Sequence, residues 1–292
     1  MAPSEASGAR RLPRSEEVRR RAHRSLPPRR GIAFLRETCV ILQFSKCRCL
    51  IFSDGQLNYS CKPPNSENEN RGVSFGFTDS IVHTGKLLYA SLLKGRAARR
   101  LAAIAKSLGD EASEKRFAVL AERIREAIAA VFPTPQGMLR ASTGKSCQTD
   151  VWGSAFAVYE NLIPENLHGV IAESLTKLLR AGEISHRGQI RHIPKSEGHW
   201  DSALSQPERY QNGCYWGTPV GWVAAAVAKH SPDAAAALFD EFIAELRAND
   251  FRKGDSFDAP YECVGLDGHV ENPVYLTTVA CPYAAAARSE RL

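Results

Sequence analysis

The sequence predicts an all-α protein built of helical hairpins, and three observations carry that prediction. Apolar residues recur at three- and four-residue spacing through most of the chain after residue 73, the period of helices with one buried face. The order helix, short turn, helix, long loop repeats along the chain. The starts of successive first helices also overlay. Asp150-Val151-Trp152-Gly153-Ser154, Cys214-Tyr215-Trp216-Gly217-Thr218 and Pro273-Val274-Tyr275-Leu276-Thr277 each place an aromatic two residues before a hydroxyl. The aromatics lie 64 and 59 residues apart, which suits hairpins joined by loops. Hairpins stacked side by side bury a common core. If the stack closes into a ring, the loops and the inner helix starts meet at one mouth, and ligand chemistry belongs there.

Each element has its own signal. Residues 1–72 read as a separate basic segment, with Arg10, Arg11, Arg14, Arg19, Arg20, Arg21, Arg24, Arg29 and Arg30 among Ser and Pro and no sustained apolar period. Lys62 to Gly72 reads as a polar linker. Residues 73–292 form the expected folded domain. A first helix is predicted from Thr78 to about Ser107 on Ile81, Leu87, Leu88 and Leu92. Asp110 caps a second, carrying Phe117, Leu120, Ile124, Ile128 and Val131, and Pro133 ends it. Thr149-Asp150 opens a third, to about Asn161. A fourth follows Pro164, with Leu167, Ile171, Leu175 and Leu178, and Gly182 closes it. A long polar loop runs from Glu183 to Asn212, with Gly188–Ile193 as an extended candidate. A helix after Tyr215 ends near His230. Ser231-Pro232 then reads as an N-cap followed by Pro at the first helical position. The loop Asn249–Asn272 leads to a last helix from Pro273.

Composition narrows the classes. The 292 residues are 43% hydrophobic and carry a formal charge of +6. Residues 1–72 hold 14 Lys/Arg against 7 Asp/Glu, whereas the remaining 220 hold 24 against 25. The basicity therefore belongs to the first segment, and no nucleic-acid partner is expected for the folded domain. Eight cysteines scattered over this length do not make a disulfide framework, and reduced thiols fit a cytoplasmic chain. No stretch reads as a membrane span, because Arg36, Glu37, Lys46 and Arg48 interrupt the apolar run at Gly31–Phe52. Dinucleotide, P-loop, nucleophile-elbow and zinc-protease motifs are missing. No cofactor and no catalytic metal are expected, since His192 and His199 lack a partner at ligand spacing.

The most informative stretch is Ser205–Trp222, which gathers Glu208, Tyr210, Gln211, Asn212, Tyr215, Trp216 and Trp222 around three glycines and two prolines. A core helix does not carry so many amides and hydroxyls beside indoles. A carbohydrate ligand suits them, since it offers hydroxyls to amides and flat C–H faces to rings. The junctions Gly76-Phe-Thr-Asp79, Gln148-Thr-Asp150-Val-Trp152, Gln211-Asn-Gly-Cys-Tyr-Trp216 and Pro260-Tyr-Glu262-Cys resemble the loop-to-inner-helix junctions of the six-hairpin glycosidase superfamily, whose fold is an (α/α)6 toroid. The resemblance covers about residues 73–287. It implies a partial toroid here, of about three and a half hairpins with the first part of the ring missing, and inversion as the commoner stereochemical outcome.

Glycoside hydrolysis needs two carboxyls flanking the scissile bond. Asp79, Asp150, Glu208 and Glu262 lie at the expected mouth. Asp150 at a helix start is expected to be ionised by the helix dipole, as a base requires. Its ordinary alternative is a plain N-cap. Glu262, in a less polar setting, is the candidate acid, against a loop glutamate paired with an arginine. Asp79 has capping as its alternative, and Glu208 has Arg209 as an alternative partner. Trp152, Trp216 and Tyr275 are expected to stack on sugar rings or, more plainly, to sit in the core. Trp200 and Tyr215 are looser candidates, and Gln211, Asn212 and Arg191 are candidate ligand donors. Two other readings stand beside a hydrolase. One is a non-catalytic carbohydrate-binding or scaffold protein. The other is a polysaccharide lyase or sugar epimerase, with Tyr210 as base beside Arg191 or Arg187. Exposed apolar helix faces on an incomplete ring predict self-association.

Overall fold

The computed structural model describes residues 51–53, 80–202 and 205–289. Strand β1 (Ile51–Ser53) pairs antiparallel with β2 (Gly85–Leu87), Phe52 lying opposite Lys86. Helix α1 (Leu88–Ser107) follows β2 directly, so it begins ten residues later than the apolar pattern predicts. Residues 85–87 spend their backbone groups on the ladder instead. Helix α2 (Glu111–Val131) starts where Asp110 accepts a hydrogen bond from Ser113 N at 3.0 Å, and it packs on α1.

Helix α3 (Val151–Tyr159) is capped by Asp150 and is almost wholly buried. Helix α4 (Asn166–Arg180) ends before Gly182, whose φ of +68° is the left-handed turn that glycine allows. Helix α5 (Val220–Val227) is Val-Gly-Trp-Val-Ala-Ala-Ala-Val, apolar on every side. It is the central helix, packed against α3, α4, α6 (Pro232–Ala248) and α7 (Leu276–Arg288). Pro232 stands at the first helical position of α6, as the sequence implies. One core links these helices through Leu88, Ile124, Phe156, Leu175, Val223 and Phe242, each at most 3% exposed. Fully burying such a side chain contributes roughly 1.5–3 kcal/mol.

The expectation of an all-α toroid is overturned. Seven α-helices among the described residues are joined by a five-stranded antiparallel sheet, which makes the fold mixed α/β. The sheet is a meander of β3 (Ser185–His186), β4 (Gln189–Arg191), β5 (Tyr215–Trp216), β6 (Cys263–Val264) and β7 (Val270–Glu271). The two long loops and the chain before α5 meet over the helix starts, where their peptide groups are shielded from water. Buried N–H and C=O groups must pair, and here they pair with one another. Strands of two or three residues leave no alternation long enough to compete with the helical period in the sequence. No helix among the described residues is long and apolar enough to cross a membrane.

Candidate functional site

The N-terminus of α3, strand β5 and the hairpin β6–β7 are held together by the sheet, and they carry the side chains singled out in the sequence. Asp150 accepts a hydrogen bond from Gly153 N at 2.7 Å, and the residue is 5% exposed. Burial pushes its pKa up to about 7, against the opposing pull of the backbone N–H groups of Gly153 and Trp152. The helix start was expected to hold it ionised; desolvation outweighs the dipole at this site.

Two residues on, Trp152 stacks on His192 at 3.5 Å between ring centres, and Val151 N donates to the His192 carbonyl. Trp152 meets Trp216 edge-on at 5.6 Å, and Trp216 lies 5.1 Å from the ring of Tyr210. His192 also abuts Trp200 at 5.1 Å, and His83 meets Trp200 edge-on at 4.9 Å. The result is one contiguous aromatic group drawn from four separate stretches of chain. Burial keeps both imidazoles neutral, with His83 lowered to about 4 and His192 well below the usual histidine range. Three buried polar atoms of the group, His192 Nδ1, Trp200 Nε1 and Trp216 Nε1, have no hydrogen-bond partner among the described residues. Such atoms are costly to bury alone.

The second carboxyl joins this group through Tyr210. The Tyr210 hydroxyl donates to Glu262 Oε1 at 3.2 Å, and the Asn272 amide donates to Glu262 Oε2. Asn272 reaches Glu262 because the β6–β7 hairpin turns at Asp267-Gly268, where Gly268 has φ +84°. At the rim, Glu208 bridges Arg191 Nη1 at 2.9 Å and His199 Nε2 at 2.7 Å. The Arg191 side chain is 2% exposed and that of Glu208 44%.

No family model and no curated protein matches the chain. A solved structure of an uncharacterized conserved protein from Thermus thermophilus is similar at 14% identity and a TM-score of 0.47. That match covers 65% of this chain and 46% of the neighbour's length.

The structure brings Trp152, Trp216, Tyr210 and Glu262 into one connected group, with Asp150 at its helix-start edge. Other predicted residues go elsewhere. Gln211 Oε1 accepts from Ser80 N and Ser80 Oγ at 2.9 and 3.0 Å. Asn212 pairs with both backbone groups of Trp200, so these two amides clamp the loops to each other. Tyr215 alternates with Trp216 along β5 and packs instead near His186 and Lys195. Tyr275 is the N-cap position of α7, and Arg187 pairs with Glu245 at 2.5 Å. Asp79 lies outside the described residues. Among the described residues no group of three His, Cys, Asp or Glu side chains is placed to hold a metal ion.

His192 and Asn272 were missed as site residues, and each had a signal. The extended candidate Gly188–Ile193 holds β4, and His192 follows that strand directly to the helix start. The pair Asp267-Gly268 marks a hairpin that folds Asn272 back on Glu262.

Proposed function

We propose that the chain binds a carbohydrate at the aromatic group and hydrolyses a glycosidic bond there with two carboxyls. The observation that supports this most is the set of unpartnered ring nitrogens on His192, Trp200 and Trp216, in a group whose ends reach Asp150 and Glu262. Trp152 and Trp216 are only 1% and 2% exposed, so the support comes from the stranded ring nitrogens, which suit sugar hydroxyls, and not from open ring faces.

The proton inventory favours Asp150 as the acid and Glu262 as the carboxylate, the reverse of the roles inferred from sequence. A carboxyl raised to about 7 still holds a proton near neutrality. Glu262 accepts through both oxygens, from Tyr210 and Asn272, which leaves it as the second carboxyl of the pair. In the reaction, Asp150 gives its proton to the leaving oxygen as the C–O bond breaks. Glu262 removes one from the water that adds to the sugar carbon.

The test is reducing-sugar release from a panel of glycosides alongside calorimetric titration of the same sugars. Asp150→Asn and Glu262→Gln are each expected to lower kcat by on the order of 10²-fold or more. Undiminished hydrolysis in both variants would sink the assignment. The slight exposure of Asp150, which already caps α3, favours a second reading: a carbohydrate-binding protein without hydrolysis. It predicts sugar binding that survives Asp150→Asn and is lost in Trp216→Ala, with no product from any glycoside.

A further inference from the structure

The sheet that assembles the site also brings two thiols together. Cys214 and Cys263 are both free and are 1% and 0% exposed. Trp216 lies directly opposite Cys263 across β5 and β6. Cys214 is two residues before Trp216 and shares its face of the sheet, so the two cysteines are diagonal neighbours on one face. Their side chains hydrogen-bond to each other, and Cys214 Sγ also contacts the Glu208 carbonyl at 3.6 Å. We propose that Cys214 and Cys263 are a peroxide-oxidisable dithiol whose disulfide fastens the Glu208–Gly213 turn to the strand beside Glu262.

The two sulfurs are not equivalent. The hydrogen bond from Cys263 lowers the pKa of Cys214, with burial opposing it and the Tyr210 backbone and Arg209 assisting. The same pairing, together with burial, drives Cys263 far up. The thiolate therefore forms on Cys214, which is the nucleophile, and Cys263 keeps its proton until the second step.

Cys214 sulfur attacks one oxygen of hydrogen peroxide. The O–O bond breaks, the departing hydroxide takes up the proton that Cys214 released on forming its thiolate and leaves as water, and Cys214 becomes a sulfenic acid. Cys263 sulfur then attacks Cys214 sulfur. The S–O bond breaks, and the leaving hydroxide takes the Cys263 proton as a second water. Two thiols and one peroxide become one disulfide and two waters, with peroxide as the species reduced.

Access runs through the turn that covers Cys214. Glu208 and Tyr210 both hold left-handed φ there, +60° and +46°, and Gly213 sits at +143°. Such conformations cost free energy in non-glycine residues, so this turn is among the segments that open locally. Peroxide is close to water in size, and a small opening admits it. A diagonal pair is wider than an unstrained disulfide, so closure draws the turn toward β6 by on the order of an ångström. The oxidation chemistry stands apart from the carbohydrate reading, although the residues it moves include Glu208 and the neighbour of Glu262.

The experiment treats the reduced full chain with hydrogen peroxide, alkylates it after unfolding, and maps the peptides by mass. The expected result is a peptide joining Cys214 to Cys263 and the loss of two alkylation sites, reversed by dithiothreitol. In Cys263→Ser, a sulfenic-acid trap is expected to label Cys214 at least roughly tenfold faster than Cys281, whose pKa burial raises. In Cys214→Ser, Cys263 is expected to stay unlabelled. The proposal is overturned if both cysteines of the unsubstituted chain remain fully alkylatable after peroxide. It is equally overturned if either one joins any of the other six cysteines instead. The readout on the unsubstituted chain needs no variant to fold.

Discussion

Asp150 caps α3 and is buried, and the two conditions act on its carboxyl in opposite senses. Capping favours the charged form, whereas burial favours the neutral one and prevails, raising the pKa to about 7 from an ordinary value near 3.8. The native state therefore binds a proton that the unfolded chain has released between those two pH values. Stability from this group is fully present below about 3.8 and is lost as pH rises through about 7. The span of roughly three units corresponds to at most about 4 kcal/mol. Asp150→Asn keeps an oxygen for Gly153 N and removes the titration. Urea midpoints from pH 4 to 8 are therefore expected to fall in the parent with a slope that the variant lacks. The same proton sets activity: if Asp150 is the acid, kcat falls about tenfold per pH unit above ~7. The rim carboxylate differs. Glu208 is partly exposed and Arg191 is not, so Glu208→Ala strands a buried guanidinium. A loss of about 1–3 kcal/mol is expected, recovered in part by Glu208→Gln, as thermal melts would show.

Close approach decides matters among the elements. A Cβ added at Gly221 in α5 would meet Ala285 and Pro282 of α7, the latter's Cα at 3.0 Å. Gly221→Ala is therefore expected to cost about 1–3 kcal/mol by forcing α5 and α7 apart. Gly169 in α4 has open space and ordinary φ, so Gly169→Ala is expected to stabilise by about 0.5–1 kcal/mol; equal shifts in the two melts would contradict this packing. These contrasts also mark what the sequence could reveal. Helices α2, α3, α4 and α6 were legible because caps such as Asp110, Asp150 and Ser231-Pro232 bracket apolar runs of helical period. Most of the sheet was not: the extended candidate Gly188–Ile193 holds β4, but Tyr215-Trp216 and Cys263-Val264 are too short to show alternation and their partners lie 24 to 49 residues away. Trp152, Trp216 and Glu262 stood out by residue type. Their joining through His192 and Tyr210 depends on strand register, which no local pattern records.

The molecule as a whole is tied at the far end of α3 by one carboxylate. Glu160 is 1% exposed in its side chain and receives Arg96 at 3.3 Å and Arg99 at 3.0 Å from α1, and Arg288 at 2.7 Å from α7. Residues nearly 200 positions apart thus converge on the end of a helix whose carbonyls also favour cations; Arg99 Nη1 donates to the Glu160 carbonyl at 2.6 Å. The three guanidinium side chains are 36–50% exposed and water can hydrate them, whereas the carboxylate has no such recourse. Losing any one arginine leaves two partners, so Arg96→Gln, Arg99→Gln or Arg288→Gln alone is expected to cost about 1 kcal/mol or less. Losing all three leaves a buried charge without a counter-ion, for which about 3–5 kcal/mol is the appropriate scale. The triple variant should therefore exceed the sum of the singles by on the order of 1–2 kcal/mol, since residues sharing one partner do not act additively. Urea midpoints for the singles and the triple would test this, and a triple variant no worse than the sum would mean that the carboxylate is hydrated and the three elements are held by apolar packing alone.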